Sequence, residues 1–251
     1  MRKIIWLFLL FLFNCVWNFA GEVNMSSKIE KINREVCKAN TNLNYYEKEY
    51  LNLIATNALP EIKGEVYSAI VNMYACDVKN NYEKVIYYSP KALKYSLNVL
   101  QTCKIYLNWG RAIESGKRHV PGLNMRVGFG DPIVPYLKGL GFVLEHLRTE
   151  KRLFPSGAFK YCMPPSTPGY QEVVKRHEEA SAKRKEAKIQ NELLDYRRQF
   201  RRQIWRVCPE IKSNASKLSA VVKHAVADTN SADKVIQYLV RPVTNEMSDA
   251  F

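Results

Sequence analysis

The residues of this chain best suited to chemistry are its histidines, its cysteines and a run of arginines, and their spacing limits what each can do. His119, His146, His177 and His224 stand far apart. None falls in a His-Glu-x-x-His pattern, which would place two imidazoles on one helix face over a zinc ion. His177-Glu178-Glu179 sits in a densely charged stretch and is expected to be solvated. No Gly-x-Ser-x-Gly elbow is present, and carboxylates pair only as helix-surface charges. Gly128-Phe129-Gly130-Asp131 begins like a dinucleotide fingerprint, but no Gly-x-x-Gly continues it and Pro132 breaks the following turn. Ser115-Gly116-Lys117 lacks the glycine that a phosphate loop places ahead of it. An enzyme is disfavoured on these grounds, an exported hydrolase is the weakest functional reading, and no cofactor or metal is expected. Only groups converging from distant positions would change that.

The cysteines depend on compartment. Cys15 lies in the leading apolar stretch, and Cys37, Cys76, Cys103, Cys162 and Cys208 follow it. None has the close spacing of a zinc or redox pair. In an oxidising compartment the five are candidate disulfide partners. Their odd number leaves one thiol over, pairs one between chains, or keeps all reduced. Cys76 and Cys103 fall on apolar helix faces, which suits burial or a bridge.

The arginines form the densest charge in the chain. Arg197, Arg198, Arg201, Arg202 and Arg206 follow one another with no acid between them. Arg197 with Arg201, and Arg198 with Arg202, stand one helical turn apart and so share faces. They are the candidate anion-binding residues, for anionic lipid or a cell-surface polymer. The plainer expectation is a surface helix whose apolar stripe, Ile189, Leu193, Tyr196, Phe200, Ile204 and Val207, faces a core.

The compartment is set by the first residues. Arg2 and Lys3 precede Ile4 to Phe13, a run without a polar residue, and Ala20-Gly21 offers small residues for cleavage. Those are the three parts of a secretory signal peptide, expected to span residues 1–20. The protein is therefore expected to be exported, periplasmic or secreted; an uncleaved signal would instead anchor it to a membrane. Losing Arg2 and Lys3 takes the formal net charge from +14 to +12. Such a surplus suits acidic partners, and export makes anionic membrane or polymer a better partner than nucleic acid. A solvated basic surface explains the charge equally well. Asn24-Met25-Ser26 and Asn214-Ala215-Ser216 match the glycosylation acceptor pattern.

Positioning falls to helices. Ile29, Ile32, Val36, Ala39, Leu43, Tyr46, Tyr50 and Leu53 recur every three or four residues, predicting one amphipathic helix over 27–57 with Ser27 and Glu30 as a capping box. The partner of that stripe is expected to be the next helix folding back, with a dimeric coiled coil as the alternative. Pro60 opens a second helix, over 61–78, apolar on most sides. Lys79-Asn80-Asn81 is expected to turn, Tyr82 to Tyr88 to be a short helix, and Ser89-Pro90 to start a longer one ending near Gly116. Tyr67, Ile70 and Tyr74, then Tyr82-Glu83-Lys84-Val85-Ile86, then Ala92-Leu93 resemble one tetratricopeptide repeat over residues 64–96. Val71 and Val85 replace small residues of that pattern, and Pro90 falls inside the second helix. The resemblance implies stacked helical hairpins and the binding of a protein or peptide in a concave groove.

The stretch Gly116–Gly169 holds eight of the eleven glycines and seven of the eleven prolines. It is expected to connect two parts, with a helix over 133–147 turning Leu137, Leu140, Val143 (or Leu144) and Leu147 inward, and a loop at Pro164–Gly169. One long helix follows over 171–207, then two short ones. The expected architecture is mainly α: antiparallel helical hairpins over 21–115, a connecting segment with one helix over 116–170, and a helical region with the basic helix over 171–251. The leading functional reading is an exported, non-enzymatic helical module that binds a protein partner or acts as a scaffold. The alternative is a peripheral protein held on polyanion or membrane by the arginines.

Overall fold

In a computed structural model, residues 27–36, 42–55, 58–95, 97–119, 130–154 and 169–241 are described. The signal segment, Cys37, Ala39, Cys162, Phe129 and the Pro164–Pro168 loop lie outside these residues. Every described element is helical: α1 (27–36), α2 (Leu43–Ala55), α3 (Pro60–Ala75), α4 (Val78–Leu93), α5 (Val99–His119), α6 (Ile133–His146), α7 (Tyr170–Val207), a 3-10 turn Pro209–Lys212, α8 (Ala215–Ala225) and α9 (Thr229–Val240). The chain divides into two compact units, Met1–Pro132 and Ile133–Phe251. None of the described helices is long and apolar enough to cross a membrane.

In the first unit, α2 packs on α3, α3 on α4 and α4 on α5, so consecutive helices form hairpins. The core is built from α3, whose Val66, Ile70, Val71, Met73 and Tyr74 are all buried, with Tyr50 of α2, Val85 of α4 and Ile105 of α5. The amphipathic stripe starting at Ile29 does face this core, but its helix is not continuous. Asn42 is non-helical, and its Oδ1 accepts a hydrogen bond from the Tyr45 amide at 3.3 Å. A short amide side chain that satisfies a free backbone N–H begins a new helix even within an apolar periodicity.

The second hairpin departs from expectation in the opposite sense. Pro90 does not restart the chain; α4 runs through it to Leu93. Val85, Tyr88, Ser89 and Ala92 are buried on one face while Pro90 is exposed, and the Ser89 hydroxyl donates to the Val85 carbonyl at 2.7 Å. Burial of that face outweighs the single backbone hydrogen bond that proline removes. The expected turn at Lys79–Asn81 survives only as non-helical angles at Asn81. Asn98, whose side chain accepts from the Gln101 amide at 2.9 Å, sets the start of α5. Gly116 lies where an added Cβ would meet the Tyr82 ring at 3.0 Å, so the approach of α4 and α5 requires a glycine there.

In the second unit α6 packs on α7, α8 and α9. Leu137, Leu140 and Val143 are buried, as are Leu193, Phe200 and Ile204 of α7 and Val222 and Val235 of the terminal helices, whereas Leu144 and Leu147 are only half-buried. Asn214 and Asp228 cap α8 and α9, accepting from the Lys217 and Ser231 amides. The Asn214 side chain, part of an acceptor pattern for glycosylation, is thus engaged as a cap. After α6 the chain runs as an irregular strap over 147–154 along α7. The Gln190 Oε1 accepts from the Arg148 amide at 2.8 Å, and the Asn191 side chain both donates to and accepts from the Leu153 backbone.

Replacing Pro90 with Ala restores a donor for the Ile86 carbonyl on an exposed face. Regaining about 3 kcal/mol of helical preference against about 0.4–1 kcal/mol of added unfolded-chain entropy, Pro90→Ala is expected to raise the urea midpoint. An unchanged or lowered midpoint would show that α4 depends on its proline.

Candidate functional site

Glu47 of α2 is buried, 7 % exposed, yet it carries a carboxylate. Three side chains from α3 and α4 meet it. The Tyr74 hydroxyl donates to Oε2 at 2.7 Å and the Tyr88 hydroxyl to Oε1 at 2.5 Å. The Lys84 ammonium lies 2.8 and 2.7 Å from the two oxygens. Burial alone would push this carboxyl up; the hydrogen bonds from Lys84, Tyr88 and Tyr74 and the ammonium charge together hold it below the ordinary range. Burial, and then the bond to Glu47, push the two tyrosine hydroxyls up. Through these bonds the cluster ties α2, α3 and α4 together.

The tyrosines extend outward from this point. Tyr67 stacks on Tyr88, with centroids 6.0 Å apart, and on Tyr95 at 5.9 Å. The Lys91 ammonium sits 3.7 Å from the centroid of Tyr87, which is exposed. Of the residues that resemble a tetratricopeptide repeat, Ile70, Tyr74, Val85 and Ala92 are buried, and Tyr67 and Tyr82 are half-buried.

Away from Glu47, α1, α3 and α5 enclose an open groove of about 440 Å³. Ile29, Ala69 and Met73 form its apolar floor, and Glu30, Glu65, Asn72, Gln101 and Lys104 its polar walls. Two carboxylates against one ammonium make this lining acidic in a chain of net charge +14. The Asn108 amide donates to Asn72 Oδ1 at 3.3 Å, linking α5 to α3 at the Asn72 wall. The buried Ser68 hydroxyl lies at the groove and finds no hydrogen-bond partner among the described residues.

The five arginines separate by face. Arg197 and Arg201 are buried. Arg197 pairs with Glu150 of the strap at 2.6 Å, and its guanidinium lies 5.0 Å from the Tyr238 ring. Arg201 donates to the Arg241 carbonyl at the end of α9 and lies 4.9 Å from Tyr238 and 4.3 Å from Trp205. Those two therefore serve the interior of the second unit. Arg198 is half-buried and pairs with Asp195, while Arg202 and Arg206 are exposed. Of the five, Arg202 and Arg206 face solvent, with Arg198 one turn before them.

Cys76 is exposed beside the groove, Cys103 is buried and Cys208 half-buried; all three are free thiols. Burial pushes the Cys103 thiol up to about 12. Cys103 and Cys76 are thus not bridged to each other. The His146 Nδ1 donates to the Phe142 carbonyl at 2.9 Å, and His177 and His224 are exposed. Among the described residues no group of His, Cys, Asp or Glu is arranged to hold a metal ion. The Glu47 cluster was not legible in the sequence, where Glu47 is one acid in a charged helix; its only signal was a Glu sharing a helix face with apolar Leu43 and Tyr50. No family model matches the chain, and no curated protein or solved structure is significantly similar to it.

Because the Glu47 carboxyl is depressed in the folded state, its contribution is present above about pH 4.5 and is lost as pH falls further. Glu47→Gln is expected to destabilise at neutral pH and to flatten the acid limb of the stability curve, read by urea melts between pH 7 and pH 3. An acid limb as steep as that of the native chain would show that Glu47 does not carry this dependence.

Proposed function

We propose that the protein is an exported, non-enzymatic helical module that binds a protein partner, taking a polypeptide segment into the groove between α1, α3 and α5. The groove carries this reading. Its volume is that of a ligand site, its floor is apolar, and its walls present a few polar groups that would fix orientation. The acidic lining favours a segment with Lys or Arg beside apolar side chains. The resemblance of residues 64–96 to a tetratricopeptide repeat agrees with peptide binding by helical hairpins, and the signal-like start of the chain supports a site of action outside the cytoplasm. Hydrogen-bonded side chains of Asn72 and Asn108 brace the groove in advance, which lowers the ordering cost of binding.

A second reading, attachment to polyanion or anionic membrane, is supported by the exposed stripe of Arg202 and Arg206 beside Arg198. Salt separates the two. Binding through phosphate- or sulfate-facing arginines falls steeply with ionic strength, whereas binding in a partly apolar groove falls much less.

Selection of a displayed peptide library on the purified chain is expected to enrich segments with basic and apolar residues. Gln101→Trp, which fills the groove from α5, and Glu65→Arg, which reverses its charge, are each expected to weaken the selected peptides at least tenfold while melting temperature is kept. Retained affinity in both variants would reject the groove. For the second reading, Arg198→Gln with Arg202→Gln and Arg206→Gln should abolish heparin retention and leave the selected peptides bound.

A further inference from the structure

The second unit contains a cavity with a different chemistry from the groove. It lies between the end of α7, the Pro209–Lys212 turn, α8 and the end of α9, with a volume of about 350 Å³. Ile211, Leu218 and Leu239 form its floor and are buried. Val240 stands on its rim, 60 % exposed, an aliphatic side chain left facing water beside an apolar hollow. The ionisable residues lining it, Lys212 and Arg241, are both cationic. The neighbouring acids are engaged elsewhere: Glu210 pairs with Lys217 at 3.2 Å, and Glu150 pairs with Arg197 at 2.6 Å and only distantly, at 3.9 Å, with Arg241. Trp205, also in the lining, has Arg201 at 4.3 Å and Lys212 at 5.2 Å from its ring, so positive charge is gathered around one aromatic wall.

An apolar floor selects hydrocarbon, and two cations at the mouth, with only the distant Glu150 carboxylate near one of them, select a negative head. We propose that this cavity binds a small anionic amphiphile, with its hydrocarbon chain against Leu218, Leu239 and Val240 and its carboxylate or phosphate head at Lys212 and Arg241. The ammonium and guanidinium supply charge-assisted hydrogen bonds to the head, and Trp205 contributes an aromatic face to the first methylenes. Placing the chain there covers Val240 and the floor, which is the favourable apolar term that a bare anion lacks. This site is separate from the groove of the first unit, so either assignment can fail alone.

The test uses the purified chain, with dodecyl phosphate below its micellar concentration as probe, followed by calorimetry and tryptophan fluorescence. Saturable binding is expected, with dodecanol and inorganic phosphate each at least tenfold weaker. Lys212→Gln combined with Arg241→Gln should weaken dodecyl phosphate at least tenfold, and Lys234→Gln, on the exposed side of α9, should not. Because Arg241 also neighbours Glu150, Val240→Asp serves as a second variant: it alters an exposed rim position and should weaken binding by a similar factor with an unchanged melting temperature. Equal affinity for dodecanol would make the cavity a plain apolar seat, equal affinity for inorganic phosphate a plain anion site, and unchanged affinity in both variants would place binding elsewhere; each overturns the proposal. A flotation arm separates the sources of the ligand. Val240-dependent retention on vesicles containing phosphatidylglycerol, but not on phosphatidylcholine alone, assigns the head to a membrane lipid, whereas binding of monomer without retention assigns it to a free amphiphile.

Discussion

A carboxylate taken out of water costs several kcal/mol unless its charge and its lone pairs are met, and the first unit is organised around meeting that requirement at Glu47. Its partners come from two other helices: Tyr74 from α3, and Lys84 and Tyr88 from α4. Both oxygens are satisfied only when α2, α3 and α4 stand in one mutual register, so the cluster selects an arrangement that apolar contacts alone would leave looser. The tyrosines carry the register outward, because Tyr88 stacks on Tyr67 and Tyr67 on Tyr95. With α3 fixed on that side, its opposite side is free to form the floor of the groove through Ala69 and Met73.

The second unit solves a similar problem with the opposite sign. Two guanidinium groups, Arg197 and Arg201, are drawn inside around the ring of Tyr238. They are tolerable there because Glu150 meets one and the carbonyl that ends α9 meets the other. A buried arginine that satisfies the last carbonyl of a helix neutralises two orphaned groups at once. The strap over 147–154 belongs to the same device. Gln190 and Asn191 of α7 satisfy its backbone at Arg148 and Leu153, and Arg197 meets its Glu150 side chain between them.

The two candidate sites follow from what these buried ions leave uncovered. The groove is acidic and partly apolar, on a strongly basic chain; the cavity beside Trp205 is apolar with cations at its mouth. Each departs from what the bulk charge would imply, because a net charge describes the average surface and a site is formed by a handful of side chains. The arginine run illustrates this. Its five charges look continuous in sequence, but the 3.6-residue turn divides them between an inner pair and an outer stripe.

Periodicity determined much of this protein without help. The spacing of apolar residues was enough to predict a mainly helical chain, the inward faces of α6 and α7, and the opening of α3 at Pro60, because each depends on residues a turn or two apart. Helix ends were less legible. Asn42 and Asn98 compete with helix through their own side chains inside otherwise continuous patterns, whereas Pro90, a helix breaker by itself, is carried through by the burial of Tyr88 and Ala92. The roles of charged residues were decided by tertiary structure alone. Glu47 finds its partners 27 to 41 residues away, and Arg197 finds Glu150 47 residues away. Nothing in the local pattern distinguishes Arg201 from solvated neighbours of the same type, and Glu47 stands apart only by sharing a helix face with Leu43 and Tyr50. A charge becomes structural only when a distant element closes over it and supplies the opposite charge or the missing hydrogen bond.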